Sequence, residues 1–294
     1  MIPAQAPDTT SLYRSAEGRR QAMAAYARSL QRLKVPWASR FVSTRFGETH
    51  VLTAGPADGP TVILPHGWNT NAGGWWPVIN DLARSFRVYA PDTVGQAGWS
   101  APTRPSLRGP GLGEWLADVV DGLGLAEAAF VGGSGGAWLI LKLVDVAPER
   151  VRRAVLLSPA GLVRPRLQFL LRAATVGILR PNEHTPLRYA RLAAPPPLTV
   201  DVKLVEEGAA LVRWHRTQLP PPRLANRTLR RLTAPTLVLV GEHECIFDRD
   251  AVLRRARRQI PGLTAAHRVA GAGHNMTFER PDEVNARLAE FLQA

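Results

Sequence analysis

The apolar positions of this chain change their period along its length, and the changes mark out its elements. Residues 15–33 carry Ala and Leu at helical spacing and predict an amphipathic helix, docked as an arm that ends near Pro36. From residue 40 short apolar runs alternate with longer helical patterns. Phe41-Val42 and His50-Val51-Leu52 read as short strands before a Gly/Pro turn at 55–60. Thr61 to Leu64, Phe86 to Ala90, Ala128 to Val131 and Val151 to Leu157 are four more runs of strand length. Between them, 75–84, 112–123 and 136–147 read as helices.

The alternation breaks at about residue 161. Residues 161–231 hold helical stretches at 166–179 and 202–218, proline clusters at 195–197 and 220–222, and no strong strand. It then resumes, with strands at 236–240 and 265–269 and helices at 250–259 and 281–292. Strands alternating with helices of this length predict βαβ units and a mostly parallel, twisted sheet flanked by helices, an α/β fold. The expected organisation is an N-terminal helical arm (1–39), an α/β core in two pieces (40–160 and 232–294) and a helical insertion (161–231).

Composition narrows the class. The chain has 294 residues, 45% hydrophobic and 21% charged, which excludes a wholly disordered chain. No apolar run approaches the ~18 residues that a membrane span needs. Cys245 is the lone cysteine, so a disulfide framework and a cysteine-rich metal site are excluded. Met1-Ile2-Pro3-Ala4 begins no basic-then-apolar leader, and a cytoplasmic location is the expectation.

The net charge of +13 is unevenly placed. Residues 1–39 carry six basic and two acidic side chains, and 161–231 carry thirteen and four. The two core pieces are neutral, with ten of each sign in 40–160 and eight of each in 232–294. The excess thus lies in the arm and the insertion. It raises the expectation of an anionic substrate, if some of Arg164, Arg166, Arg172, Arg213 and Arg216 face a cleft. The contrary reading is an arginine-biased composition, since only Lys34, Lys142 and Lys203 are lysines. No nucleic-acid-binding module is recognisable.

The sharpest chemical signal is Val131-Gly132-Gly133-Ser134-Gly135-Gly136, a G-x-S-x-G pattern between a strand and a helix. There the turn lifts the serine hydroxyl above the strand end, and the helix N-terminus favours negative charge. A serine hydroxyl needs a base to act as a nucleophile. Gly271-Ala272-Gly273-His274-Asn275 places a glycine-framed histidine in a loop after a strand, where packing has little use for it. His184 and His215 lie in the insertion and are expected at the surface. The base needs a carboxylate, and the strand ending at Val240 runs into Glu242, Glu244 and Asp248. Glu244 is preferred for its position, with the other two acids open. Trp68, in His66-Gly67-Trp68-Asn69, and Gly135 are the expected oxyanion N–H donors. Trp75, Trp76, Trp138 and Trp214 suit either an acyl pocket or helix packing.

Taken together, these pieces resemble an α/β-hydrolase of the serine carboxylesterase type. His66-Gly67, Asp92 with Gly95, Gly98 and Ser100, the Gly132–Gly136 turn, Ala234-Pro235 before a strand ending at Gly241, and Gly273-His274 with Glu279-Arg280-Pro281 carry the resemblance. It implies a nucleophile Ser134, a base His274, an acid Glu244, oxyanion donors Trp68 and Gly135, and residues 161–231 as a helical cap. It implies neither metal nor cofactor. The acid position usually holds aspartate, and Asp92–Ser100 has one residue more than the usual spacing. Ser134 argues against haloalkane dehalogenases and epoxide hydrolases of this fold, which use aspartate. The loop His66–Asn69 differs from that of proline iminopeptidases. The expected function is hydrolysis of carboxylic esters through an acyl-enzyme, in a bacterial monomer or homodimer acting on a small acyl substrate. The alternative is an acyltransferase, cyclase or thioesterase of a biosynthetic pathway using the same acyl-enzyme.

Overall fold

Alternation within single strands builds two cores, one on each face of a sheet. In the computed structural model, which describes residues 6–176, 184–199 and 201–294, the strands are β1 (Trp37–Thr44), β2 (Gly47–Ala54), β3 (Thr61–Ile63), β4 (Arg87–Pro91), β5 (Ala128–Gly133), β6 (Val151–Leu157), β7 (Thr236–Gly241) and β8 (Leu263–Val269). Phe130, Leu156 and Val238 point into one core. Their neighbours Val131, Val155 and Leu239 point into the other. Successive side chains of a strand take opposite faces, so a strand buried on both sides reads as an unbroken apolar run.

The strand order is β1-β2-β4-β3-β5-β6-β7-β8. β1 and β2 form an antiparallel hairpin, and β2 pairs antiparallel with β4. All later pairings are parallel. The chain leaves β3 for β4 on one side and returns to β5 on the other, which opens a crevice beyond the carboxyl ends of β3 and β5. Ligands of open α/β sheets bind at such a reversal.

The helices are α1 (Ala16–Leu30), α2 (Trp76–Leu82), α3 (Gly111–Gly122), α4 (Gly135–Val146), α5 (Leu167–Ala174), α6 (Thr185–Ala193), α7 (Val202–Trp214), α8 (Asn226–Arg230), α9 (Arg249–Gln259), α10 (Met276–Glu279) and α11 (Pro281–Gln293). The Ser15 hydroxyl caps α1 by accepting the Gly18 N–H, with Glu17 in the first turn and Arg28 in the last, as the helix dipole favours. The arm buries Ala22, Met23, Tyr26 and Leu30. α4 is buried from Gly135 to Val144, consistent with its almost unbroken apolar sequence.

Among the described residues, four helices, α5 to α8, lie between β6 and β7. α6 and α8 were not expected. α6 has a proline in its first turn, which reads as a breaker but is well tolerated there, and α8 has five residues, too few for a period to show. The expected helix at 202–218 stops at Trp214. Part of the one expected at 166–179 lies outside the described residues.

His215 corrects an expectation. It is fully buried rather than at the surface. Just past the end of α7, it forms an antiparallel bridge with Tyr13 of the arm, with the ring centroids 5.8 Å apart. Arg14 N–H donates to Trp214 O, and Arg216 N–H to Leu12 O. Burial drives the imidazole down to about 4, with the Arg104 charge acting the same way, so it is neutral at ordinary pH. His184 is exposed. No helix among the described residues is long and apolar enough to cross a membrane.

Candidate active site

The site is assembled from loops at the carboxyl ends of β3, β5, β7 and β8. Ser134, between β5 and α4, adopts φ 51°, ψ −109°, a backbone region that L side chains rarely enter. Its N–H donates to Leu157 O at 2.8 Å, and its carbonyl accepts from Ala160 N–H at 3.1 Å. The turn has no space for a side chain at Gly132, Gly135 or Gly136. A Cβ on Gly136 would lie 1.9 Å from Pro65 O, and one on Gly132 2.5 Å from Gly136 C.

The loop after β3 meets this turn. A Cβ on Gly135 would lie 2.7 Å from the Trp68 backbone nitrogen, so the two expected oxyanion donors are neighbours. His66 braces the loop. Its Nε2 accepts from Thr93 N–H at 3.0 Å, which assigns the other proton to Nδ1, donated to Gly67 O at 2.8 Å. Burial holds this imidazole below the usual histidine range. Asn69 sits at φ 60°, and its N–H donates to the Gln96 side chain at 2.8 Å.

The segment 218–222 ties down the same loop from above. Asn69 Nδ2 donates to Gln218 O at 3.1 Å, and Gln218 N–H donates back to Asn69 Oδ1 at 2.8 Å. The Trp68 indole donates to Leu219 O and the Trp138 indole to Pro222 O, each at 2.9 Å. Sequence reasoning did not single out Gln96 or Gln218. The proline cluster at 220–222 stood out in the sequence, without showing what the segment touches.

Of the three candidate acids, Glu244 reaches the histidine. Its Oε2 accepts from His274 Nδ1 at 2.8 Å, and its Oε1 accepts the N–H groups of Ile246 at 2.8 Å and Phe247 at 3.2 Å. It is 3% exposed. Burial alone would raise this carboxyl, but the His274 charge and these hydrogen bonds outweigh it and hold it below the usual range. Burial pushes His274 down, while Glu244 and then Glu279 push it up, and the net direction is upward. Glu242 is exposed and accepts Gly271 N–H at 2.8 Å. Asp248 caps α9 through Ala251 N–H at 2.8 Å.

Beneath the site lies a hub that sequence reasoning quoted only as part of a pattern. Asp92 is fully buried. It accepts from Tyr26 OH at 3.0 Å, Ala72 N–H at 2.9 Å, His50 Nδ1 at 3.0 Å and Trp99 N–H at 3.0 Å. Burial raises this carboxyl and the donors, His50 foremost, lower it further, so it stays below the usual carboxylate range.

The tryptophans divide. A Cβ on Gly133 would meet the Trp75 ring edge at 3.7 Å, and Trp68 and Trp138 stand edge to face at 6.0 Å. Trp76 packs on Phe278 and Arg32, and Trp214 on Gly18 and Gln21 of the arm. The arginines divide too. Arg166 lies 3.8 Å from Asp248, Arg213 covers the Trp214 ring, and Arg216 Nε donates to Tyr13 O. Arg164 and Arg172 are exposed. Among the described residues, no three His, Cys or carboxylate side chains gather as a metal site.

Comparison with known proteins shows the family and the fold. The family model of the alpha/beta hydrolase fold matches residues 60–204. Carboxylesterase YbfK of Bacillus subtilis (strain 168) is 32% identical over 277 residues, covering 91% of this chain and 92% of its own. This chain belongs to the α/β-hydrolase family, among its carboxylesterases. Within that family, carboxylesterase nap of the same bacterium is 32% identical over 275 residues, covering 92% of this chain and 91% of its own. The crystal structure of carboxylesterase CesB (YbfK) superposes with a TM-score of 0.85 at 31% identity, over 94% of this chain and 99% of that one. That of the B. subtilis naproxen esterase gives 0.84 at 28% identity, over 94% and 98%. The eight-stranded, mostly parallel sheet flanked by helices is the α/β-hydrolase fold.

Proposed function

We propose that this α/β-hydrolase cleaves carboxylic esters with Ser134 as nucleophile, His274 as base, Glu244 as the acid that orients it, and the Trp68 and Gly135 N–H groups as oxyanion donors. The observation that carries this reading is the His274–Glu244 hydrogen bond, made on Nδ1 by a buried carboxylate. It commits the Nδ1 proton to Glu244 and leaves Nε2 to take a proton.

The chemistry follows from those roles. His274 Nε2 takes the Ser134 proton as the serine oxygen bonds to the ester carbonyl carbon. The carbonyl π electrons move onto oxygen, where two N–H groups receive them at the positive end of α4. Collapse breaks the bond to the alcohol, which leaves with the proton from His274. Water then loses a proton to Nε2 and attacks the acyl-serine. Collapse releases the acid, and the proton returns to Ser134. The helical insertion 161–231 is proposed as a cap over this site. The bonds from segment 218–222 to Trp68, Asn69 and Trp138 support that role.

The test is turnover of p-nitrophenyl esters from acetate to decanoate, with Ser134→Ala alongside. Turnover lost in the variant is expected, and the length profile sizes the acyl pocket. Turnover retained by Ser134→Ala refutes the serine mechanism. A wild type that is labelled by a fluorophosphonate at Ser134 without turning over any ester points to acyl transfer to another acceptor.

A further inference from the structure

A second carboxylate stands beside His274. Glu279, at the end of α10, accepts the N–H of Gly273, the residue before His274, on Oε2 at 2.6 Å. Its other oxygen is buried and has no hydrogen-bond partner among the described residues. A Cβ on Gly273 would lie 3.2 Å from that oxygen and 2.5 Å from the Leu198 side chain, so the insertion closes over the same spot. No cation pairs with Glu279 among the described residues. The adjacent Arg280 reaches Gly271 instead, where its guanidinium would lie 2.4 Å from an added Cβ. A half-buried carboxylate with one bare oxygen and no cation beside it is costly, and packing does not require one.

The charges around this group form a small set. His274 is flanked by Glu244 and Glu279. Glu279 is influenced by His274 and Glu244, and its own charge acts on Cys245, which also feels Arg166. Burial raises the Glu279 carboxyl and the Glu244 charge adds to that, while the Gly273 N–H, His274 and the Asn275 backbone lower it, and the net direction is upward.

We propose that Glu279 is a positioning residue: one oxygen fixes the loop that carries His274, and its negative charge favours the imidazolium that His274 becomes on taking the Ser134 proton. This inference rests on the serine mechanism above. Glu244 orients the ring by direct contact, whereas Glu279 acts through the backbone and through space.

The experiment compares the acid limb of kcat/KM on a short-chain p-nitrophenyl ester for wild type, Glu279→Gln and Glu279→Asp. Glutamine keeps an oxygen for the Gly273 N–H and removes the charge. Its acid limb is expected to move to lower pH by about half a unit to one unit, because a nearby negative charge no longer favours protonated His274. Aspartate keeps the charge and shortens the reach. Its limb is expected at the wild-type pH, with a lowered kcat and an unchanged KM. A Glu279→Gln limb at the wild-type pH overturns the proposal, and so does an equal shift in both variants.

Should Glu279→Gln not fold, nuclear magnetic resonance titration of the His274 ring in the wild type serves instead. A second, smaller inflection above the ordinary glutamate value is expected from Glu279, and a single inflection overturns the proposal. Fluorophosphonate labelling of Ser134 separates the two readings. Labelling with an unmoved limb removes the Glu279 role alone. Turnover that survives Ser134→Ala removes both.

Discussion

Asn69 and Gln218, 149 positions apart, exchange two hydrogen bonds, the Asn69 amide bonding the Gln218 backbone on both its oxygen and its nitrogen. This pair joins the proposed oxyanion loop to the segment of the insertion between α7 and α8. Asn69→Ala removes both bonds at the residue next to Trp68. Its kcat is expected to fall about tenfold to a hundredfold with little change in KM, because small displacements of an oxyanion donor weaken the transition state selectively. Steady-state kinetics on one ester, with a thermal melt to confirm folding, checks this.

Glu244→Gln tests the acid. Glutamine can present its amide N–H to His274 and favour the wrong tautomer, so kcat is expected to fall by about 10⁴. Glu242→Gln and Asp248→Asn, whose carboxylates bond backbone N–H groups elsewhere, are expected to stay within a few-fold of wild type. A comparable collapse in either would move the acid away from Glu244.

The pH profile has a definite sign. The proposed reaction needs neutral His274, and the net effect of burial, Glu244 and Glu279 is to raise this histidine above its ordinary value of 6.5. Activity is therefore expected to rise with pH, with its midpoint above 6.5. The same shift contributes stability that is present below the unfolded-state value and lost as pH rises through the folded one. A kcat/KM profile read with a pH-insensitive assay locates the midpoint.

Asp92 is expected to matter to folding more than to chemistry. Four donors converge on it with no solvent contact, and Asp92→Ala leaves them all unpaired. The loss is expected to be ~3–5 kcal/mol by urea unfolding, in the range for breaking a buried charged network. Because its carboxyl is held below 3.8, its contribution is present above that pH and lost as pH falls through the folded value.

These sites also show what a linear sequence can carry. The α/β alternation was legible because strands such as Ala128–Gly133 are buried on both faces and read as apolar runs. Ser134 and His274 stood out because glycines mark backbone that tolerates few alternatives. Glu244 could be preferred by position but not separated from Glu242 and Asp248, since only the fold shows which carboxylate turns inward. Tyr26 and His50 gave no signal, because their partner Asp92 lies 66 and 42 positions away. His215 was misplaced for the same reason. Its cover is Tyr13, from the far end of the chain.

The arm has a consequence for the order in which the molecule is made. Gln21 bonds the Trp214 indole across 193 positions, and Tyr13 O accepts Arg216 Nε across 203. At roughly 5–20 residues per second on the ribosome, α1 waits on the order of 10–40 s for Trp214 to follow it. During that interval the side of α1 that carries Gly18 and Gln21 is without its native cover, whereas Tyr26 can meet Asp92 and Trp99 as soon as those residues have emerged.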